Sequence, residues 1–276
     1  MFRRNAHFST ALWLLAGCTS GTTPDPATPD AAVAEQADAG AREDAGVPGA
    51  APPCASWIQP PVEAARYADA SLDEVSGLVV SRLNPGVLWV VEDSGADAEL
   101  HAVDLQGGLL GTLALEDVDA TDVEELALGP CGATDQAACL YVADVGDNDE
   151  ERDTVQLHRL AEPLLPSSAP WTLSSAVTSV VLQYPDGAHN VEAMVVDGTG
   201  VVWLFSKRDD NTSRIFRVEP AFGSNDVVTA QARGSFTVGD DGLVTGAALW
   251  PGGSRLAVRT YFSAWEWDIP AGMDVG

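Results

Sequence analysis

Leu140-Tyr-Val-Ala-Asp-Val-Gly-Asp-Asn-Asp-Glu-Glu-Arg152 joins a short apolar strand to a turn crowded with Asp144, Asp147, Asn148, Asp149, Glu150 and Glu151, with Arg152 the nearest cation. Carboxylates held at the end of a rigid strand repel one another unless a cation, a proton or water relieves them. The strand returns as Leu88-Trp-Val-Val, Val202-Trp-Leu-Phe and Leu256-Ala-Val-Arg, each followed by a polar turn. Ahead of the four copies stand Glu74-Val-Ser-Gly-Leu-Val-Val, Asp122-Val-Glu-Glu-Leu-Ala-Leu, Asn190-Val-Glu-Ala-Met-Val-Val and Leu243-Val-Thr-Gly-Ala-Ala-Leu, which share a valine in second place. Behind them come Leu100-His-Ala-Val, Val155-Gln-Leu-His-Arg-Leu, Arg214-Ile-Phe-Arg-Val and Ala264-Trp-Glu-Trp. Fainter outer strands are read at Leu109 to Leu115, Ser179 to Tyr184 and Gln231 to Val238.

Short strands separated by Gly, Pro, Asp and Asn turns, with no long 3.6-residue periodicity, predict an all-β chain. A repeat of roughly fifty residues with four strands in each predicts a β-propeller of four-stranded blades. A β-sandwich could produce the first-strand likeness by coincidence, but nothing in it requires the second and third strands to repeat as well. Four blades are recognisable where rings of this blade size usually take about five to seven. The ring is therefore expected to be incomplete at the C-terminus, with Met273-Asp-Val-Gly276 an interrupted connection, unless pieces such as Ala55 to Tyr67 supply further strands.

The chain has 276 residues, of which 46% are hydrophobic, enough to bury one substantial core behind its tails. Its formal net charge of −27 argues against nucleic acid and anionic membrane surfaces as partners and leaves cations or neutral ligands. Solvation alone accounts for much of that charge without any ligand.

Arg3 and Arg4, the apolar run Phe8 to Ala16, and Leu15-Ala16-Gly17-Cys18 resemble a bacterial lipobox, so residues 1–18 read as a lipoprotein signal peptide with Cys18 the lipidated residue. The apolar run is too short to remain as a membrane-spanning helix. Thr19 in place of Asp fits sorting to the outer membrane, periplasmic or surface-exposed. Residues 19–53, rich in Ala, Asp, Pro and Gly, cannot offset their chain entropy by burial and read as a disordered tether. The propeller domain is placed at 54–276. The membrane is then a partner only through the acyl anchor. In an oxidising compartment the closely spaced Cys131 and Cys139 are expected to form a disulfide closing the loop between the first two strands of the second repeat, whereas Cys54 has no visible partner.

In a propeller the starts of the first strands and the turns after the second strands meet around one mouth. The strand starts bring Glu74, Asp122, Glu124, His189, Asn190 and Glu192; the turns bring Glu92, Asp93, Asp147, Asn148, Arg152, Lys207, Arg208, Arg259 and Tyr261. A ring of carboxylate and amide oxygens suits calcium, and the expected ligands are Glu74, Glu124, Asp147, Asn148, Asn190 and Glu192. The competing reading is that the acidic residues build turns and are neutralised by the nearby Lys and Arg side chains. His189 is the candidate general base. Arg152, Lys207, Arg208 and Arg259 are the candidate cations of a catalytic site. Ser94 has no nucleophile elbow around it, and the stretch at Asp149 to Asp153 lacks the glycine and terminal Glu of an EF-hand.

Taken together, SGL at Ser76, LWVVEDSG at Leu88, DVEE at Asp122, YVADVGDN with Arg152, HNVEA at His189, the Lys207 turn, VTGAAL at Val244 and AVRTY at Ala257 resemble a family of exported bacterial propeller proteins. That family carries Asn-Asp-Ser-Gly, Asp-Trp-Glu-Asp and Gly-Asp-Asn motifs in the same order. Glu92 stands where the family has Asn, Val123 where it has Trp, and Glu125 where it has a second Asp. More distantly the pattern is similar to calcium-dependent gluconolactonase, paraoxonase and propeller-phytase groups, in which an axial calcium supports hydrolysis of lactones or phosphate esters. The expectation is a lipid-anchored envelope propeller that binds a cation or small polar ligand, or a protein partner, at its axial mouth. The alternative is a calcium-assisted hydrolase of lactones or phosphate esters.

Overall fold

The computed structural model describes residues 63–69, 72, 74–93, 98–239, 243–270 and 275. The stretches read from sequence as a signal peptide with Cys18 and as a tether, together with Cys54 and Ser94, lie outside the described residues. Among the described residues the structure is β-strand joined by turns and bends, with no α-helix, and no helix is long and apolar enough to cross a membrane.

The first blade is β1 (Val75–Val80), β2 (Val87–Glu92), β3 (Glu99–Asp104) and β4 (Leu109–Glu116). The second opens with β5 (Val123–Pro130), β6 (Ala138–Asp144) and β7 (Val155–Ala161), continues through β8 (Trp171–Ala176), and returns as β9 (Thr178–Gln183). The third is β10 (Val191–Val196), β11 (Val202–Ser206) and β12 (Thr212–Val218), then β13 (Val228–Thr229) and β14 (Gln231–Thr237). The fourth is β15 (Val244–Leu249), β16 (Arg255–Thr260) and β17 (Ala264–Asp268), three-stranded among the described residues. Four antiparallel meanders arranged as blades make the chain a β-propeller, as the repeats predict.

The repeat does not show where two of the strands go. β8 pairs parallel with β4, and β13 pairs parallel with β9. In both cases the connection between a blade's third and fourth strands reaches back and closes the outer edge of the blade before it, so the first two sheets have five strands.

Apolar layers fill the spaces between blades. Trp89, Val91 and Leu113 face Leu126, Leu140 and Val142; Tyr141, Leu157 and Leu182 face Met194, Leu204 and Phe216; Trp203 and Phe205 face Val244, Leu256 and Val258. Trp89 and Trp203 are completely buried, and each indole still places its nitrogen on a carboxylate, Glu162 and Asp197 respectively, at 3.2 Å. The far face of the first blade is covered by Leu72 and Tyr67.

The inner strands crowd the axis. A Cβ on Gly77 of β1 would stand 2.6 Å from the Leu126 nitrogen of β5, so only glycine lets these two blades approach so closely. Cys131 and Cys139 are disulfide-bonded with Cα atoms 5.0 Å apart, tying the end of β5 to the start of β6.

Candidate functional site

All four inner strands are bulged at the same place. Register with the second strand shifts between Val75 and Gly77, Val123 and Glu125, Val191 and Ala193, and Val244 and Gly246. A bulge leaves one residue without a ladder partner and re-aims it. Here the extra residues are Ser76, Glu124, Glu192 and Thr245, so the shared valine of the repeat marks the step before the bulge. The second strands then supply Asp93, Lys207 and Tyr261, each one residue beyond the partner of that valine.

From these positions Asp93, Asp122 and Glu124 converge, with one oxygen of each within 4.8 Å of the others. Asp122 and Glu124 are buried, and Asp122 Oδ1 has no hydrogen-bond partner. A Cβ on Gly146 would fall 2.5 Å from both the Asp122 and the Glu124 carboxylates, so this glycine is what allows the β6–β7 loop to close over the pair. Beside them Glu192 accepts from Lys207 Nζ at 2.5 Å and from Asn190 Nδ2 at 3.2 Å.

The electrostatics are those of crowded acids. Burial first, then the hydrogen bond and charge of Asp93, pushes Asp122 up to about 7, with Arg152 opposing. Burial, then the charges of Glu192, Asp93 and Asp122, pushes Glu124 up to about 9, with Lys207 opposing. Glu192 is also raised by burial, against the pull of Lys207 and Asn190. Burial works against the Lys207 ammonium, but the pairing with Glu192 outweighs it and the lysine is raised.

No family model matches the chain, and no curated relative does. Among solved structures, a chain of an active polycomb repressive complex 2 in the basal state is 17% identical with a TM-score of 0.39, over 70% of this chain and 45% of that one. Virginiamycin B lyase from Staphylococcus aureus is 12% identical with a TM-score of 0.36, over 74% of this chain and 58% of that one. The chain thus spans about half the length of the structures it is similar to, and likeness at this level says nothing about activity.

Of the ligand set expected from sequence, Glu124 lies in the cluster and Glu192 beside it. Glu74 is exposed, and its carbonyl rather than its side chain is used, accepting from the Asp93 nitrogen at 2.9 Å. The Asp147 carboxylate caps its own turn, accepting from the nitrogens of Glu151 and Arg152 at 2.9 and 2.8 Å. Asn190 bridges the Asp147 nitrogen, exposed Asn148 and Glu192.

Among the candidate cations, Arg152 pairs with the fully buried Asp144 at 3.0 Å and donates to the Gly146 carbonyl at 2.7 Å, which fixes the loop over the site. Arg208 pairs with Asp210 beside an open pocket lined also by Thr212 and Arg214. Arg259 donates to the Thr245 carbonyl at 2.6 Å. His189 shares Nε2 with Asp186 and Arg214, both at 3.0 Å, and its ring lies against Tyr184 and Phe216.

Asp93 and Asp122 belong to the rim read from sequence but not to its ligand set. The available signal was the repeat itself, which aligns Asp93 with Lys207 and puts Asp122 directly before the valine that precedes the bulge. Glu125, noted only as a departure, is buried on the axis. It accepts from the nitrogens of Leu126 at 3.0 Å and Ala247 of the fourth blade at 3.1 Å, and burial pushes it up to about 8.

Proposed function

We propose that this is an exported β-propeller, lipid-anchored through Cys18, that binds a divalent cation at its axial mouth through Asp93, Asp122 and Glu124, with Glu192 and Lys207 at the neighbouring position. The observation that carries this reading is the buried, unpartnered Asp122 Oδ1 within a cluster of carboxylates that burial and mutual repulsion drive toward protonation. A hard cation would supply the missing partner and the missing charge together. An all-oxygen donor set suits calcium, whose remaining positions would be taken by water or ligand oxygens.

Binding is favoured over hydrolysis because the candidate base is occupied elsewhere. His189 Nε2 is shared between an aspartate and an arginine, and His189 Nδ1 is buried without a partner. Export and anchoring rest on the Arg3-Arg4, apolar-run and Leu15 to Cys18 pattern.

Thermal unfolding with calcium and with chelator tests the ion. Calcium at a hundred times its dissociation constant adds about 2.7 kcal/mol to the stability of a one-site protein. A rise in the unfolding midpoint that Asp122→Asn abolishes is the expected result. Identical midpoints in calcium, magnesium and chelator would remove the metal reading.

A further inference from the structure

Tyr261 and Phe262 form an aromatic lip at the mouth. The turn carrying them is held rigidly: the Thr260 nitrogen donates to the Ser263 carbonyl at 2.8 Å, and Thr260 Oγ1 accepts from the nitrogens of Phe262 and Ser263 at 3.3 and 3.0 Å. The two ring centroids are 6.4 Å apart, and Phe262 is 86% exposed, the most exposed large apolar side chain among the described residues. Lys207 Nζ stands 5.3 Å from the centre of the Tyr261 ring and also pairs with Glu192, so a continuous path leads from the lip through an ammonium to the carboxylates.

A fixed, solvent-facing ring next to a polar cluster is costly to leave bare and suits a ligand with one flat apolar face. Charge selects among such ligands. With an ion bound and the carboxylates ionised, Asp93, Asp122, Glu124 and Glu192 outweigh a divalent ion plus Lys207, and the chain as a whole carries a formal charge of −27, so an organic anion approaches against the field. A neutral polyol does not. Its hydroxyls can ligate a hard cation, donate to carboxylates and accept from an ammonium, while the C–H face of its ring lies on an aromatic side chain.

We infer that the axial mouth is a cation-dependent binding site for a neutral sugar, with the pyranose ring on Phe262 and Tyr261 and its hydroxyls directed to the ion, Glu192 and Lys207. This rests on the cation reading above.

The test is saturation-transfer NMR of the whole chain with methyl β-D-glucopyranoside and methyl α-D-mannopyranoside, run beside calcium-dependent thermal unfolding. Saturation transfer to at least one glycoside is expected in calcium and not in chelator. Phe262→Ala should weaken that glycoside about tenfold, the loss of one ring contact of about 1.4 kcal/mol, while leaving the calcium-dependent rise in midpoint intact. Trp250→Ala, which removes an exposed ring at the β15–β16 turn, should change neither reading. A calcium-dependent midpoint with no transfer to either glycoside would overturn the sugar site and leave the ion. Unchanged glycoside affinity in Phe262→Ala, or gluconate binding more tightly than both glycosides, would also overturn it. No response to calcium at all would instead remove the cation reading beneath it.

Discussion

Asp122 and Asp147 look alike in sequence: both are aspartates at a junction between strand and turn. They differ in what the backbone offers them. Two turn nitrogens point at Asp147, whereas Asp122 Oδ1 meets none, and no spacing rule exposes that difference before the loop is built. The consequence appears on the pH axis. Asp122 and Glu124 rise from 3.8 and 4.5 to about 7 and about 9, so the fold favours their neutral forms. The stability that comes with this is complete below about pH 4 and is lost as pH rises through 7 to 9. In chelator the unfolding midpoint should therefore fall progressively from about pH 4 to about pH 9; calcium should remove most of that fall, and Asp122→Asn should remove part of it without calcium. Glu125 behaves in the same sense around about 8, but calcium should not rescue it, because its oxygens already meet backbone nitrogens. Glu125→Gln should flatten the part of the loss that runs from about pH 5 to about pH 8. Glu125→Ala, which strands those nitrogens, should cost about 2 to 4 kcal/mol in urea unfolding at pH 6.

At the level of elements, the first three strands of every blade were legible, because each repeat carries its own apolar strand, polar turn and valine step. The outer strands β4, β9 and β14 were also visible, though fainter. β8 and β13 were not. Trp171–Ala176 alternates between exposed and half-buried residues, and its partner lies in a different repeat, so comparing repeats with one another cannot reveal the pairing. The β6–β7 loop was legible as an acidic turn, yet its organising contact is the ion pair of Arg152 with an Asp144 that is wholly buried. Removing one member of such a pair leaves the other charge stranded. Arg152→Ala is expected to cost about 3 kcal/mol in urea unfolding and to weaken calcium binding through loss of the Gly146 lid. Reducing the Cys131–Cys139 bridge, or replacing both cysteines with serine, should cost about 2.5 kcal/mol if chain entropy governs so short a loop, read from the same transition.

Across the whole molecule, a propeller with an acidic cluster on its inner strands follows, across a long polar segment, a Leu15 to Cys18 pattern that resembles a lipobox. The mature chain is expected to begin at an acylated Cys18, which intact-mass measurement of membrane-extracted protein checks; Cys18→Ser should release it from the membrane fraction with its calcium response unchanged. The backward-reaching strands bear on how such a molecule can be taken apart. Because β8 follows β7 along the chain but completes the sheet of β4, the boundary between repeats in sequence is not a boundary in space. A fragment cut at the repeat junction would carry away a strand belonging to its neighbour and leave that neighbour with a raw, adhesive border. Blades of this protein are therefore poor units for excision, shuffling or permutation, and proteolytic nicking near Val177 should loosen two blades together.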